Sequence, residues 1–135
     1  MSTVFNDIQA ALDNRLNTIS GGYDIAWPNV PYEPTANETY LRPTFLPAAT
    51  EQVGLGDTGL DRTDAIYQVD VFTGAGSGRT AIPDSVADHF KRGTTLTYNG
   101  TNVRISGVSI LPATIDGSWQ IVPVSINFYS YTDAR

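Results

Sequence analysis

Val122, Val124, Ile126 and Phe128 stand at alternate positions near the C-terminus. Only an extended strand, with its side-chain period of two, brings all four to one face. A second stretch repeats the pattern: from Asp64 to Phe72, Ala65, Tyr67, Val69 and Val71 alternate with Ile66, Gln68, Asp70 and Phe72. A chain carrying two such strands must build a sheet and must also cover its apolar face. Thr94–Tyr98, Asn99-Gly100 and the run from Thr101 predict a hairpin, because Asn-Gly is the favoured pair for a two-residue turn. The returning strand changes phase. Val103 and Ile105 share a face, whereas Val108 and Ile110 fall on the other, so a β-bulge is expected at Ser106 or Gly107. A turn near Asp116-Gly117 leads into the last strand.

The cover comes from two helical stretches. Val4, Ile8, Leu12, Leu16 and Ile19 recur at helical spacing, which predicts a helix over about 3–19. The second runs over about 81–92 and buries Ile82, Val86 and Phe90, with Thr80 as its expected cap and Pro83 in its first turn. Ile25-Ala26-Trp27 reads as a short strand stopped by Pro28. Thr39–Phe45 reads as a strand in which Pro43 cannot donate to a ladder, so it is an edge strand or bulged. From Leu46 to Arg62 no periodicity is visible, and a long loop is expected. It exceeds the about 12–15 residues usual for a structureless connection, which marks it as functional or ordered by a partner. The expected fold is α+β: one domain over residues 1–135, with two helices packed on one face of a largely antiparallel or mixed sheet.

Composition narrows the function. The 135 residues are 41% hydrophobic and 16% charged, enough to bury a core. The net charge of -6 sets an acidic surface against phosphate backbones, and no basic cluster is denser than Lys91-Arg92. Sequence-specific nucleic-acid binding is not expected. Without cysteine there is no disulfide, thiolate metal site or cysteine nucleophile. No apolar run approaches the roughly 20 residues of a membrane span, and the N-terminus lacks signal-peptide features, so a cytosolic origin is expected.

No catalytic, cofactor or metal site is expected from the sequence. Gly74 and Gly76 precede a helix, but Arg79 stands where both the Walker and the dinucleotide patterns need glycine. The single histidine, His89, would have to serve any Ser-His-Asp mechanism with Ser77 or Ser85 and Asp84 or Asp88, yet no nucleophile-elbow sequence accompanies it. Asp57, Asp61 and Asp64 miss the calcium-loop spacing. Aromatic residues say more. Tyr67 and Trp119 are expected in the core or on the sheet surface. Trp27 and Tyr32, in a proline-stiffened segment, suit an interface, where a ring buries area and its polar tip stays paired.

Several features then combine. They are the N-terminal helix, Ala26-Trp27-Pro28-Asn29, Tyr40-Leu41-Arg42-Pro43, the small-residue loop Gly74-Ala75-Gly76-Ser77-Gly78 and the terminal Asn127-Phe128-Tyr129. Together they resemble a family of tailed-bacteriophage tail terminators, over essentially the whole chain. That resemblance implies a structural virion protein without cofactor, assembled in the host cytoplasm. It would form a ring of identical subunits, expected as a hexamer, that ends tail-tube growth and meets the tail tube protein and the head–tail connector. The subunit-interface candidates are then Trp27, Tyr32, Tyr40, Arg42 and Leu55. Glu51, Asp57, Asp61 and Asp64 are candidates to face an acidic lumen. A tail tube or neck-completion protein, or a small binding module or enzyme, are the competing readings.

Overall fold

A computed structural model describes residues 4–19, 23–27, 30–33, 38–52, 60–74, 81–98 and 100–133. The first helix, α1, spans Val4–Asn17, two residues short of the expected end. A two-residue strand β1 (Asp24–Ile25) follows, then the long hairpin of β2 (Tyr40–Gln52) and β3 (Leu60–Gly74). The second helix, α2 (Ile82–His89), leads to β4 (Thr95–Tyr98), β5 (Thr101–Ile110), β6 (Thr114–Asp116) and β7 (Trp119–Asp133). The chain is thus α+β with a mixed sheet: β1 runs parallel to β2, and the other described pairs are antiparallel.

The strand order is β1-β2-β3-β7-β5-β4, with β6 on β7 beside the end of β5. The C-terminal strand therefore occupies the centre. It pairs with β3 along its whole length, from Leu60↔Asp133 to Gly74↔Trp119, and joins the β2–β3 hairpin to the β4–β5 hairpin. Pro123 is tolerated there because it lies between the two partners on its other side. β5 ends at Ile110 opposite Val124, and β6 begins at Thr114 opposite Ile121.

The alternation seen in the sequence becomes a face. Leu41, Ala65, Tyr67, Val69, Val71, Val103, Ile105, Val124, Ile126 and Phe128 are buried together with Ile8, Leu12 and Leu16 of α1 and with Val86 and Phe90 at α2. Tyr67 ties this layer to both helices: its hydroxyl donates to Asp13 Oδ1, and its ring lies 5.9 Å from that of Phe90. The bulge falls where the phase change placed it. Ile105 opposes Phe128 and Gly107 opposes Asn127, leaving Ser106 as the extra residue. Val108 returns to the core, although Ile110 is exposed. Tyr98 pairs with Thr101, and Gly100 takes a φ of 81°, open to glycine without strain, while Asn99 lies outside the described residues.

Three expectations change. The 46–62 stretch is not one long loop: β2 runs to Gln52 and β3 starts at Leu60, and Thr50↔Thr63, Glu51↔Arg62 and Gln52↔Asp61 are paired after an irregularity between Pro47 and Thr50. Backbone ladders need no apolar alternation, and this end lies past Ala65, the last β3 residue of the apolar core. The short strand is Asp24–Ile25 and excludes Trp27. Ala81, not Thr80, holds the cap position of α2, with no side-chain cap bond, and Thr80 lies outside the described residues.

Candidate subunit-contact groove

Local sequence builds a groove at the outer edge of β2. The Leu41 carbonyl accepts from Ala26 N–H at 2.7 Å, which ends the cover supplied by the β1 segment. Backbone groups alternate sides along a strand, so the position of Pro43 that lacks an N–H faces the same outer edge. The edge-strand expectation therefore holds past Leu41: no further strand pairs there among the described residues. Beside this edge Val30 N–H donates to the Trp27 carbonyl at 3.2 Å, and a cavity of about 570 Å³ opens there. Its walls include Trp27, Val30, Tyr32, Tyr40, Arg42 and Phe45.

Four of the five residues singled out as interface candidates meet in this groove, and Leu55 lies outside the described residues. Trp27 is half-buried and packs on the core. Tyr32 donates to Asp24 Oδ2 at 3.1 Å, and its ring lies 5.0 Å from that of Tyr40. Desolvation, followed by the neighbouring Asp24, raises the Tyr32 phenol above its ordinary value. Tyr40 is buried and stacks on Phe72 at 4.4 Å, with Trp119 edge-on at 5.2 Å. Burial raises its phenol too, against the pull of Arg42. Trp119 thus belongs to an aromatic cluster on the sheet surface.

Arg42 joins this cluster by charge. Its Nη2 donates to Asp70 Oδ2 at 3.1 Å while the guanidinium lies 4.8 Å from the Phe72 ring centre. Asp70 is 5% exposed and accepts a second bond from Gln68 Nε2 at 2.9 Å. A carboxylate so deeply desolvated needs these partners. Sequence reasoning missed Asp70 and Phe72 here, since only the register Arg42↔Asp70 sets them beside the groove.

The lumen candidates divide differently. Asp57 lies outside the described residues; for Glu51 and Asp61 the backbone alone is described, within the β2–β3 ladder. Asp64 forms an ion pair with Arg62 at 3.1 Å. Arg62 in turn lies 4.4 Å from the Tyr129 ring centre, and its Nη1 donates to the Tyr131 hydroxyl at 3.4 Å. A smaller cavity of about 260 Å³ opens beside these rings, bordered by Arg104 and Asn102.

His89 has a structural use. Its Nε2 lies 2.6 Å from the Arg15 carbonyl and 3.0 Å from Thr18 Oγ1, while Arg15 Nε donates to the His89 carbonyl at 3.0 Å. This exchange ties the C-terminal ends of α1 and α2 together and satisfies carbonyls that a helix end leaves open. Ser85, one imagined partner, bonds the Ala81 carbonyl instead.

Fold and groove define an α+β protein with an aromatic-lined groove at one edge of its sheet. Residues 7–128 match the family model described as phage tail terminator protein, and the chain belongs to that family. Its role is that of a structural component of the phage tail. A solved structure superposes with a TM-score of 0.73 at 24% identity, over 97% of each chain, which shows a shared fold. No curated protein sequence matches the chain. No described helix is long and apolar enough to cross a membrane.

Proposed function

We propose that the protein caps the phage tail tube as a ring of identical subunits, a hexamer, which ends tube polymerisation and presents the surface that joins tail to head. The family match over residues 7–128 carries this reading. The groove supports it, because a ring built head to tail needs an asymmetric contact in which one patch meets a different patch on the next copy. The chain acts as a single domain with both helices covering one sheet face, consistent with Tyr67 touching both Asp13 and Phe90. Trp27, Tyr32, Tyr40, Arg42 and Leu55 contribute to subunit contacts. Glu51, Asp57, Asp61 and Asp64 face the channel, where negative charge repels DNA and lets it pass. The protein performs no catalysis, and its other partners are the tail tube protein and the head–tail connector. It works in the virion tail after assembly in the host cytoplasm.

Light scattering coupled to size exclusion, with negative-stain images of the largest species, tests this. Uniform closed rings of six are expected. Open-ended tubes would assign the chain to the tube, and a strict monomer at every concentration would refute self-assembly into a ring.

A further inference from the structure

At the end of the sheet that holds Tyr40, Phe72 and Trp119, the strands stand in the row β1-β2-β3-β7-β6. One border of that row is the groove along β2. The opposite border is β6, a three-residue edge strand whose residues are all exposed. An uncovered edge of this kind is a template for another chain unless something occupies it. Ile115, at its centre, is 65% exposed, the highest value among the exposed large hydrophobic residues. Ile110 and Leu111 stand exposed just before it. Asp116 follows, with no hydrogen-bond or ion-pair partner among the described residues.

The two borders match face by face. Ile115 opposes Gln120, which shares a face with Val122 and Val124, so it lies on the core side of the sheet. Asp116 opposes Trp119 and lies on the other side, the side of Phe72 and Tyr40. At the groove the same two sides carry complementary groups. Pro43 and Phe45 share the core side with Leu41, whereas Arg42 shares the other side with Tyr40. Arg42 is half-exposed, and its ion pair with Asp70 uses a single nitrogen. A guanidinium has five N–H donors, so it can hold a second carboxylate.

We propose that the β6–β7 hairpin of one copy docks into the β2 groove of the next. Ile115 enters the apolar wall formed by Trp27, Pro43 and Phe45, and Asp116 approaches Arg42 on the opposite side. The occupant is a second copy of this chain because one sequence supplies both an exposed apolar and acidic edge and an aromatic and basic groove, with the sheet faces in agreement. Pro43 withholds one ladder donor, so side chains carry most of the contact. The contact is heterologous and leaves each open assembly one free edge and one free groove until the ring closes. The inference rests on the ring reading and adds the surfaces that form the ring.

The chain has no cysteine of its own, which makes crosslinking clean. The experiment mixes an Ile115→Cys protein with a Val30→Cys protein under mild oxidation; Val30 is exposed and lines the groove. Efficient crosslinks between the two, few within either alone, and a ladder of oligomers from the double variant are the expected result. Ile115→Arg, at a site outside the core, should fold with unchanged circular dichroism and weaken assembly by about 10-fold or more. Rings that persist in Ile115→Arg, together with no crosslink between the Ile115→Cys and Val30→Cys proteins, would overturn this contact while leaving the ring reading standing. Crosslinks between two copies of Ile115→Cys alone would overturn it in favour of a two-fold contact. A wild type that never assembles would overturn both.

Discussion

Tyr67→Phe removes one hydroxyl from the middle of the protein and keeps the ring that packs on Phe90. The hydroxyl is the donor to Asp13, so the substitution separates α1 from β3 chemically without opening a cavity. Tyr67 is 1% exposed, and burial followed by the Asp13 charge holds its phenol well above its ordinary value. A hydrogen bond to a charged group contributes about 1.5–3 kcal/mol. Asp13 is only partly desolvated and water can replace some of the lost bond, which sets the expected loss near 1–2 kcal/mol at pH 7. Desolvation also raises the Asp13 carboxyl, with the Tyr67 bond opposing it, so the variant should raise it further.

The pH dependence is the sharper part of this prediction. The folded-state value for Tyr67 lies above the unfolded value of roughly 10, so its contribution is complete below that pH and is lost as the pH rises beyond it. In that range the wild type should lose about 1.4 kcal/mol per pH unit on account of this one proton. Tyr32 and Tyr40 remain in both proteins, so the difference between them isolates Tyr67. Urea denaturation followed by tryptophan fluorescence at pH 7, 9, 10 and 11 measures both effects. An alkaline slope in Tyr67→Phe equal to that of the wild type would refute the reasoning.

Arg42→Met should cost about 1–3 kcal/mol in urea denaturation, because it strands the nearly buried Asp70 on Gln68 alone, and Asp70→Asn added to it should restore most of the loss. Phe90→Ala empties a fully buried site and is expected to lower stability by about 3–5 kcal/mol in the same assay. Deleting Ser106 removes the extra residue and leaves Ile105 and Val108 two positions apart on one face, so thermal melting should stay cooperative; a loss of cooperativity would show that the bulge is needed for more than its register. Gly100→Ala, at a φ of 81°, should lower stability by about 1 kcal/mol in chemical denaturation, with no neighbouring atom to clash.

Local rules written in the chain decided the elements. Val122 to Phe128 had to be a strand because no other conformation puts that period on one face. The mismatch between Ile105 and Val108 required an extra residue, and Asn99-Gly100 set the turn. The four-residue spacing of Ile8, Leu12 and Leu16 required a helix with one buried stripe. The aromatic excess around Trp27 and Tyr32 was visible too, because proline kept those residues out of regular structure. Tertiary structure decided where these pieces meet. Strand order is a non-local choice: nothing near Val124 says that β7 will enter between β3 and β5, because the strands pair through backbone groups that every residue shares. The same degeneracy hid the strands beyond Leu46, which pair without an apolar pattern. It also hid the Arg42–Asp70 pair, whose members are 28 positions apart in sequence and meet only once the register is set. The sheet end where an open groove and an exposed Ile115 lie on opposite borders is likewise a property of the assembled fold, since each edge is defined by the strand that does not lie beside it.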